Sequence, residues 1–138
     1  SSSGVIVSTG AGSTGWLSSV FNMASGVLSL LSGSVDASPS SPAAPAPGPR
    51  PSTVHAPRMP WEAPRLLFVV REPFISRHSR AGLVTGLVQP GEDLRIESAM
   101  PQNGVIFSDG VEADYLHFNS GAIAHIRAAA QTAQLVIA

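Results

Sequence analysis

Three glycines, four hydroxyl residues and an aromatic ring lie close together near the start of this 138-residue chain, in VIVSTGAGSTGW (5–16). Gly10, Gly12 and Gly15 fit the spacing G-x-G-x-x-G. Between a strand and a helix, that spacing suits contact with a phosphate. Small residues let the backbone approach closely, and the N–H groups of the first helical turn face the ligand's charge. Ser13 and Thr14 add hydroxyls, and Trp16 offers a ring face to a base. A complete dinucleotide fingerprint also needs a second parallel strand carrying an acid. Asp36 stands at a suitable distance, but the prolines of SGSVDASPSSP (32–42) exclude a strand there. A phosphate loop of the lysine type is excluded, because all eight basic residues are Arg. Two readings of the loop stay open. It is either a nucleotide contact, or a tight strand-to-helix corner with Trp16 packed in the core.

Other reactive residues are sparse. There is no Cys, which removes disulfides, thiolate metal sites and cysteine nucleophiles. His55 lies in a proline-rich stretch, His117 and His125 lie on expected strands, and no two histidines have metal-site spacing on an expected helix. Arg71, Arg77, His78 and Arg80 follow one another after a strand, where they suit a phosphate, an opposing subunit or solvent. Asp109-Gly110 reads either as a hairpin turn or as a phosphate-handling pair. Glu92, Asp93, Glu112 and Asp114 read as surface charges beside turns. A net charge of -1 gives no electrostatic support for a nucleic-acid or membrane-surface partner. No apolar run reaches the ~18 residues of a membrane span. The N-terminus has no basic region of the signal-peptide kind, and SSSGVIV begins almost inside a strand, as the later part of something longer would.

The elements that must position these residues follow from periodicity. VIVST (5–9) reads as a short buried strand. Over 13–32 the apolar residues Trp16, Leu17, Val20, Phe21, Ala24, Val27, Leu28 and Leu31 form one helical stripe, with Ser13 or Thr14 as the N-cap and Gly33 as the stop. Nine of the twelve prolines fall in 39–64, among Ala and Ser, and read as a flexible insert. From 65 onward the period is two. RLLFVV, AGLVTGLV, EDLRIES, VIFS, VEADYLHF, AIAHIRA and QLVIA predict about six or seven strands. Asn103-Gly104 and Asp109-Gly110 bracket VIFS as two-residue hairpin signals, and the Ala-rich 128–133 also suits a helix. The expected class is α+β, mostly β, with an antiparallel sandwich-like meander and one helix after the N-terminal strand and glycine loop. Three parts are expected: 1–34 with strand, loop and helix, 35–64 as the insert, and 65–138 as the β-rich part of the same domain.

STGAGSTGW (8–16) followed by Ser19 resembles the Thr-Pro-Thr-Gly-Ser-Thr-Ala-Tyr segment of NAD kinases, above all the mitochondrial-type branch. LLFVVREPF (66–74) and SDGVEADYLHFNSGAIAHI (108–126) resemble the same branch in the same order. Gly10-Ala11 stands where the family has Pro-Thr, Gly15 where it has Ala, Trp16 where it has Tyr, and Ser3 where common bacterial members have Asp.

The resemblance implies a C-terminal substrate-binding domain. The parent enzyme would transfer the γ-phosphate of ATP, or of polyphosphate, to the adenosine-ribose 2′-hydroxyl of NAD. It implies Ser13, Thr14, Gly15, Trp16 and Ser19 as substrate-binding residues. No catalytic residue is implied in this stretch, because the Gly-Gly-Asp-Gly and Asn-Glu motifs of the N-terminal α/β domain do not occur in it. Mg²⁺ and ATP would belong to the full-length parent. Implied partners are NAD, the α/β domain of the same polypeptide and further copies in a homo-oligomer. The implied compartment is the bacterial cytoplasm, or the mitochondrial matrix in a eukaryote. Lipid kinases of the same superfamily, or a non-catalytic β-rich oligomerisation module, are the alternatives. The lipid-kinase motif Asp-Gly-Glu is met here by Asp-Gly-Val-Glu (109–112), which displaces Glu112 by one residue and so to the opposite strand face.

Overall fold

The computed structural model describes residues 2–31, 59–74, 77, 82–108 and 113–134. Its elements are β1 (Gly4–Ser8), a 3-10 turn (Ala11–Thr14), α1 (Trp16–Leu31), β2 (Leu66–Arg71), β3 (Thr85–Val88), β4 (Leu94–Glu97), β5 (Val105–Phe107), β6 (Tyr115–His117) and β7 (Ile123–Ile126). The class is α+β, mostly β, with antiparallel sheets and one helix after the N-terminal strand. The chain divides into two compact units, 1–87 and 88–138. The N-terminal strand and helix therefore share a unit with β2, on the far side of the proline-rich stretch.

In the first unit, β2 is the central strand of the order β1-β2-β3. β1 runs antiparallel to it, with Gly4 opposite Arg71, Ile6 opposite Val69 and Ser8 opposite Leu67. On the other edge the Val70 N–H donates to the Val84 carbonyl at 2.8 Å, and the Thr85 hydroxyl donates to the Phe68 carbonyl at 2.9 Å. Successive residues of this strand are buried, so it is covered on both faces, and a continuous apolar run suits that better than alternation. Leu66, Leu67, Phe68 and Val69 are all buried. Leu67 and Val69 meet Leu17 of α1 and Met59, with Ile6, Val20, Phe21 and Ala63 packed around them. Phe68 lies against Gly86 of β3, where an added Cβ would crowd the ring.

One expectation changes here. Of the helical stripe only Leu17 is buried, with Val20, Phe21 and Ala24 half-buried and the rest exposed. Leu17 is 1% exposed, but Val27, Leu28 and Leu31 are 48–77% exposed, as are Met23 and Leu30 on the flanking faces. Of the stretch expected as a flexible insert, 35–58 lies outside the described residues; within 59–64, Met59 is buried in the core and Ala63 packs on it.

In the second unit β4 pairs with β7 and β5 with β6, both antiparallel. β5 and β6 are consecutive, as in a meander, whereas β4 reaches past them to β7. Asn103-Gly104 therefore does not close a β4–β5 hairpin. Asn103 takes a left-handed φ of 60°, and Gly104 is buried against the Phe118 carbonyl, which leaves no room for a side chain. The Gly104 N–H donates to Asn119 Oδ1 at 3.0 Å, and the Phe118 N–H donates to the Gly104 carbonyl at 2.7 Å. Ser98, at the end of β4, is buried. Its hydroxyl donates to the Phe118 carbonyl at 2.6 Å and accepts from the Met100 N–H at 3.2 Å. These bonds join the β4–β7 ladder to the β5–β6 ribbon. Asn119-Ser120-Gly121 is a turn, closed by the Ala122 N–H on the Asn119 carbonyl at 2.9 Å. Residues 128–133 form no helix. Most of QLVIA (134–138) lies outside the described residues. Among the described residues no helix is long and apolar enough to cross a membrane.

Candidate functional site

The glycine loop turns the chain from β1 into α1 through one 3-10 turn. The Gly12 N–H donates to Thr9 Oγ1 at 3.2 Å, the Ser13 N–H to the Gly10 carbonyl at 3.3 Å, and the Gly15 N–H to the Gly12 carbonyl at 3.1 Å. Three amides that an anion cradle would use are thus engaged within the loop. The hydroxyls expected to cap α1 face the other way. Ser13 Oγ donates to the Gly10 carbonyl at 2.7 Å and Thr14 Oγ1 to the Ala11 carbonyl at 3.5 Å. Each binds the carbonyl three residues back, a local bond that competes with capping and starts the helix later, at Trp16. Ser18 Oγ repeats the pattern, donating to the Gly15 carbonyl at 2.7 Å.

The glycines have separate reasons. A Cβ on Gly10 would overlap the carbonyl of Pro60, so its bareness admits the 59–61 segment rather than a ligand. A Cβ on Gly12 would press on Ser8 Oγ at 2.8 Å. Thr14, Gly15, Trp16 and Ser19 are all exposed, as are Ala11 and Gly12, and Ser13 is half-buried. The substrate-binding residues expected from sequence therefore share one short segment, and four of the five are open to solvent.

Trp16 is 42% exposed, which removes the reading that places it inside the core. The core position belongs to Leu17, one residue on. The indole instead carries the Arg71 guanidinium, whose carbon stands 4.6 Å from the ring centroid. Arg71 is the last residue of β2, opposite Gly4, so β1 sets no side chain directly across from it. Glu72 follows with a left-handed φ of 46°, then Pro73, and together they end the strand. The Glu72 carboxylate reaches only 4.0 Å from the guanidinium. Sequence reasoning placed Arg71 in a basic run near phosphate or solvent and missed its contact with Trp16. The one available signal was an Arg closing a buried strand.

Of that basic run, Arg77 is exposed and His78 and Arg80 lie outside the described residues. Asp109 and Gly110 lie outside them as well, between strands that stop at Phe107 and resume at Tyr115. His117 packs edge-on to Tyr115 with centroids 5.2 Å apart. His125 Nδ1 lies 3.5 Å from Asp93, which also stands 3.9 Å from Arg127. All three side chains are substantially exposed and form a polar cluster on the surface. Among the described residues no three His, Asp or Glu side chains come together as metal ligands. No protein-family model matches this chain, and neither a curated protein nor a solved structure is significantly similar to it.

Proposed function

We propose that this chain is the C-terminal substrate-binding domain of an NAD kinase. The observation that carries the reading is the meeting of two separated motifs. Trp16, from the stretch resembling the family's substrate loop, and Arg71, from LLFVVREPF, lie in contact on an accessible surface. The α+β class, with strand, loop and helix preceding antiparallel strands, agrees with it.

In this reading Thr14, Gly15, Trp16 and Ser19 hold the acceptor dinucleotide, with Ser13 beside them. Their task is positioning, which in phosphoryl transfer accounts for much of the rate because the protein contributes little covalent chemistry. The 2′-hydroxyl oxygen of the adenosine ribose attacks the γ-phosphorus of the donor. The bond from that phosphorus to the bridging oxygen breaks, and the hydroxyl proton passes to a base on the partner α/β domain. ATP and Mg²⁺ are assigned to that domain, and no metal step is placed on this chain. A homo-oligomer in the bacterial cytoplasm or the mitochondrial matrix fits the same reading.

The test is NAD titration of the chain carrying Trp61→Phe, which leaves Trp16 as its one fluorophore of that kind. Saturable quenching of Trp16 is expected. A flat titration, with no NAD-induced shifts in the NMR spectrum at 13–19, counts against the assignment.

A further inference from the structure

The geometry points to Arg71 as the residue that binds the diphosphate of the dinucleotide, with the Trp16 ring holding its guanidinium in place. This rests on the substrate-site reading above. The guanidinium lies over one face of the indole at 4.6 Å. A cation held against a ring face keeps its N–H donors free to meet an anion, because the ring face accepts no full hydrogen bond from them. The acidic neighbour Glu72 stands at 4.0 Å, the outer limit of an ion pair, and its own side chain is 71% exposed. The Arg71 side chain is 32% exposed, so its rim is reachable from solvent.

The backbone explains why the cation stays there. Arg71 closes β2 with Gly4 opposite, and the left-handed Glu72 and Pro73 turn the chain away at once. A guanidinium already held against the ring loses less freedom on binding than a free one, and its planar fork matches the paired oxygens of a phosphate. The loop amides of Gly12, Ser13 and Gly15 are engaged internally. Those three amides are taken, and among the described residues Arg71 is a cation in contact with Trp16, where it can supply the anionic part of a dinucleotide with a donor. The remaining exposed part of the Trp16 ring is left for a base. The site should then distinguish ligands with a diphosphate from the nucleosides that flank it.

The experiment uses the full chain with Trp61→Phe and follows Trp16 fluorescence. The probes are NAD, adenosine and nicotinamide riboside, at two salt concentrations. Arg71→Gln is expected to weaken NAD about tenfold or more, to leave both nucleosides within about twofold, and to abolish the salt dependence of NAD binding. Arg71→Lys keeps the charge but loses the fork, and is expected to fall between the two. Circular dichroism checks the fold. If Arg71→Gln does not fold, the lysine variant decides, and NAD affinity equal to the parent's overturns the proposal. NAD binding that is lost in Trp16→Ala but unchanged in both Arg71 variants overturns it while leaving the substrate-site reading intact. Absence of NAD binding by the parent chain overturns both.

Discussion

The Pro60 carbonyl occupies the space in which a side chain on Gly10 would begin. The glycine loop is thereby bolted to the segment that leads Met59 into the core. Gly10→Ala should displace that segment and destabilise the chain by at least about 1–3 kcal/mol, the cost of overpacking against backbone. Gly26, inside α1, has open space where its Cβ would stand. Gly26→Ala should stabilise by about 0.5–1 kcal/mol through backbone entropy and helix propensity. Urea denaturation of the two variants tests both signs, and equal effects would contradict the contrast.

Leu17 and Leu30 share one helix and opposite fates. Leu17 is 1% exposed and Leu30 63%. Leu17→Ala should cost about 2–5 kcal/mol by removing core contacts and leaving a cavity. Leu30→Ala should change stability by less than about 0.5 kcal/mol. A large loss at Leu30 would show that the second half of α1 is covered in solution.

Trp16 separates binding from folding. A core tryptophan would cost about 3–5 kcal/mol on truncation to Ala. At 42% exposure, and with an exposed cation–π contact as its main partner, Trp16→Ala should cost only about 1 kcal/mol. In the proposed full-length kinase the same variant should raise the KM for NAD or lower kcat, and leave the KM for ATP nearly unchanged. Trp61→Ala should be kinetically silent. Thermal unfolding together with both Michaelis constants decides the matter on a single pair of variants.

Ser98→Ala should weaken the second unit. The hydroxyl satisfies the Phe118 carbonyl and the Met100 N–H at once, and both are left short of a partner when it is removed. The expected loss is about 1–3 kcal/mol. Hydrogen exchange at the Met100 amide should accelerate while the Val70 amide, bonded to Val84, stays protected.

The chain by itself should form no NADP from ATP and NAD, since the proposed reading assigns the base and the donor site to another domain. Steady NADP formation by the purified chain would reverse that assignment.

Much of this arrangement is legible in the residues. The apolar run of β2 announces a buried strand, the period-two stretch LRIE locates β4, and YLH and IAHI lie inside segments expected as strands. The strand-loop-helix order at the start also follows from glycine placement and the 3.6-residue period. What escapes is set by partners distant in sequence. Whether Trp16 or Leu17 enters the core depends on where β2 and Met59 lie, and the helix stripe contains both residues. The 3-10 turn escapes because Ser13 and Thr14 suit both a cap and a bond to the carbonyl three residues back, and local composition does not choose between them. Asn103-Gly104 has the residue types of a tight hairpin, yet tertiary contact with Phe118 and Asn119 claims it. The Trp16–Arg71 contact joins residues whose neighbourhood only the β1–β2 pairing creates.

The enclosure of β5 and β6 between β4 and β7 imposes an order on assembly. Bringing β4 to β7 unaided means closing the whole intervening chain, whose entropic cost grows with its length by about 0.6 kcal/mol per doubling. Once β5 and β6 have zipped, that loop is effectively shorter, and Ser98 finds the Phe118 carbonyl already presented at the end of β6. The inner ribbon thus acts as a template for the outer ladder. Weakening Phe107 or Tyr115, which face each other across that ribbon, should slow formation of a ladder they do not belong to.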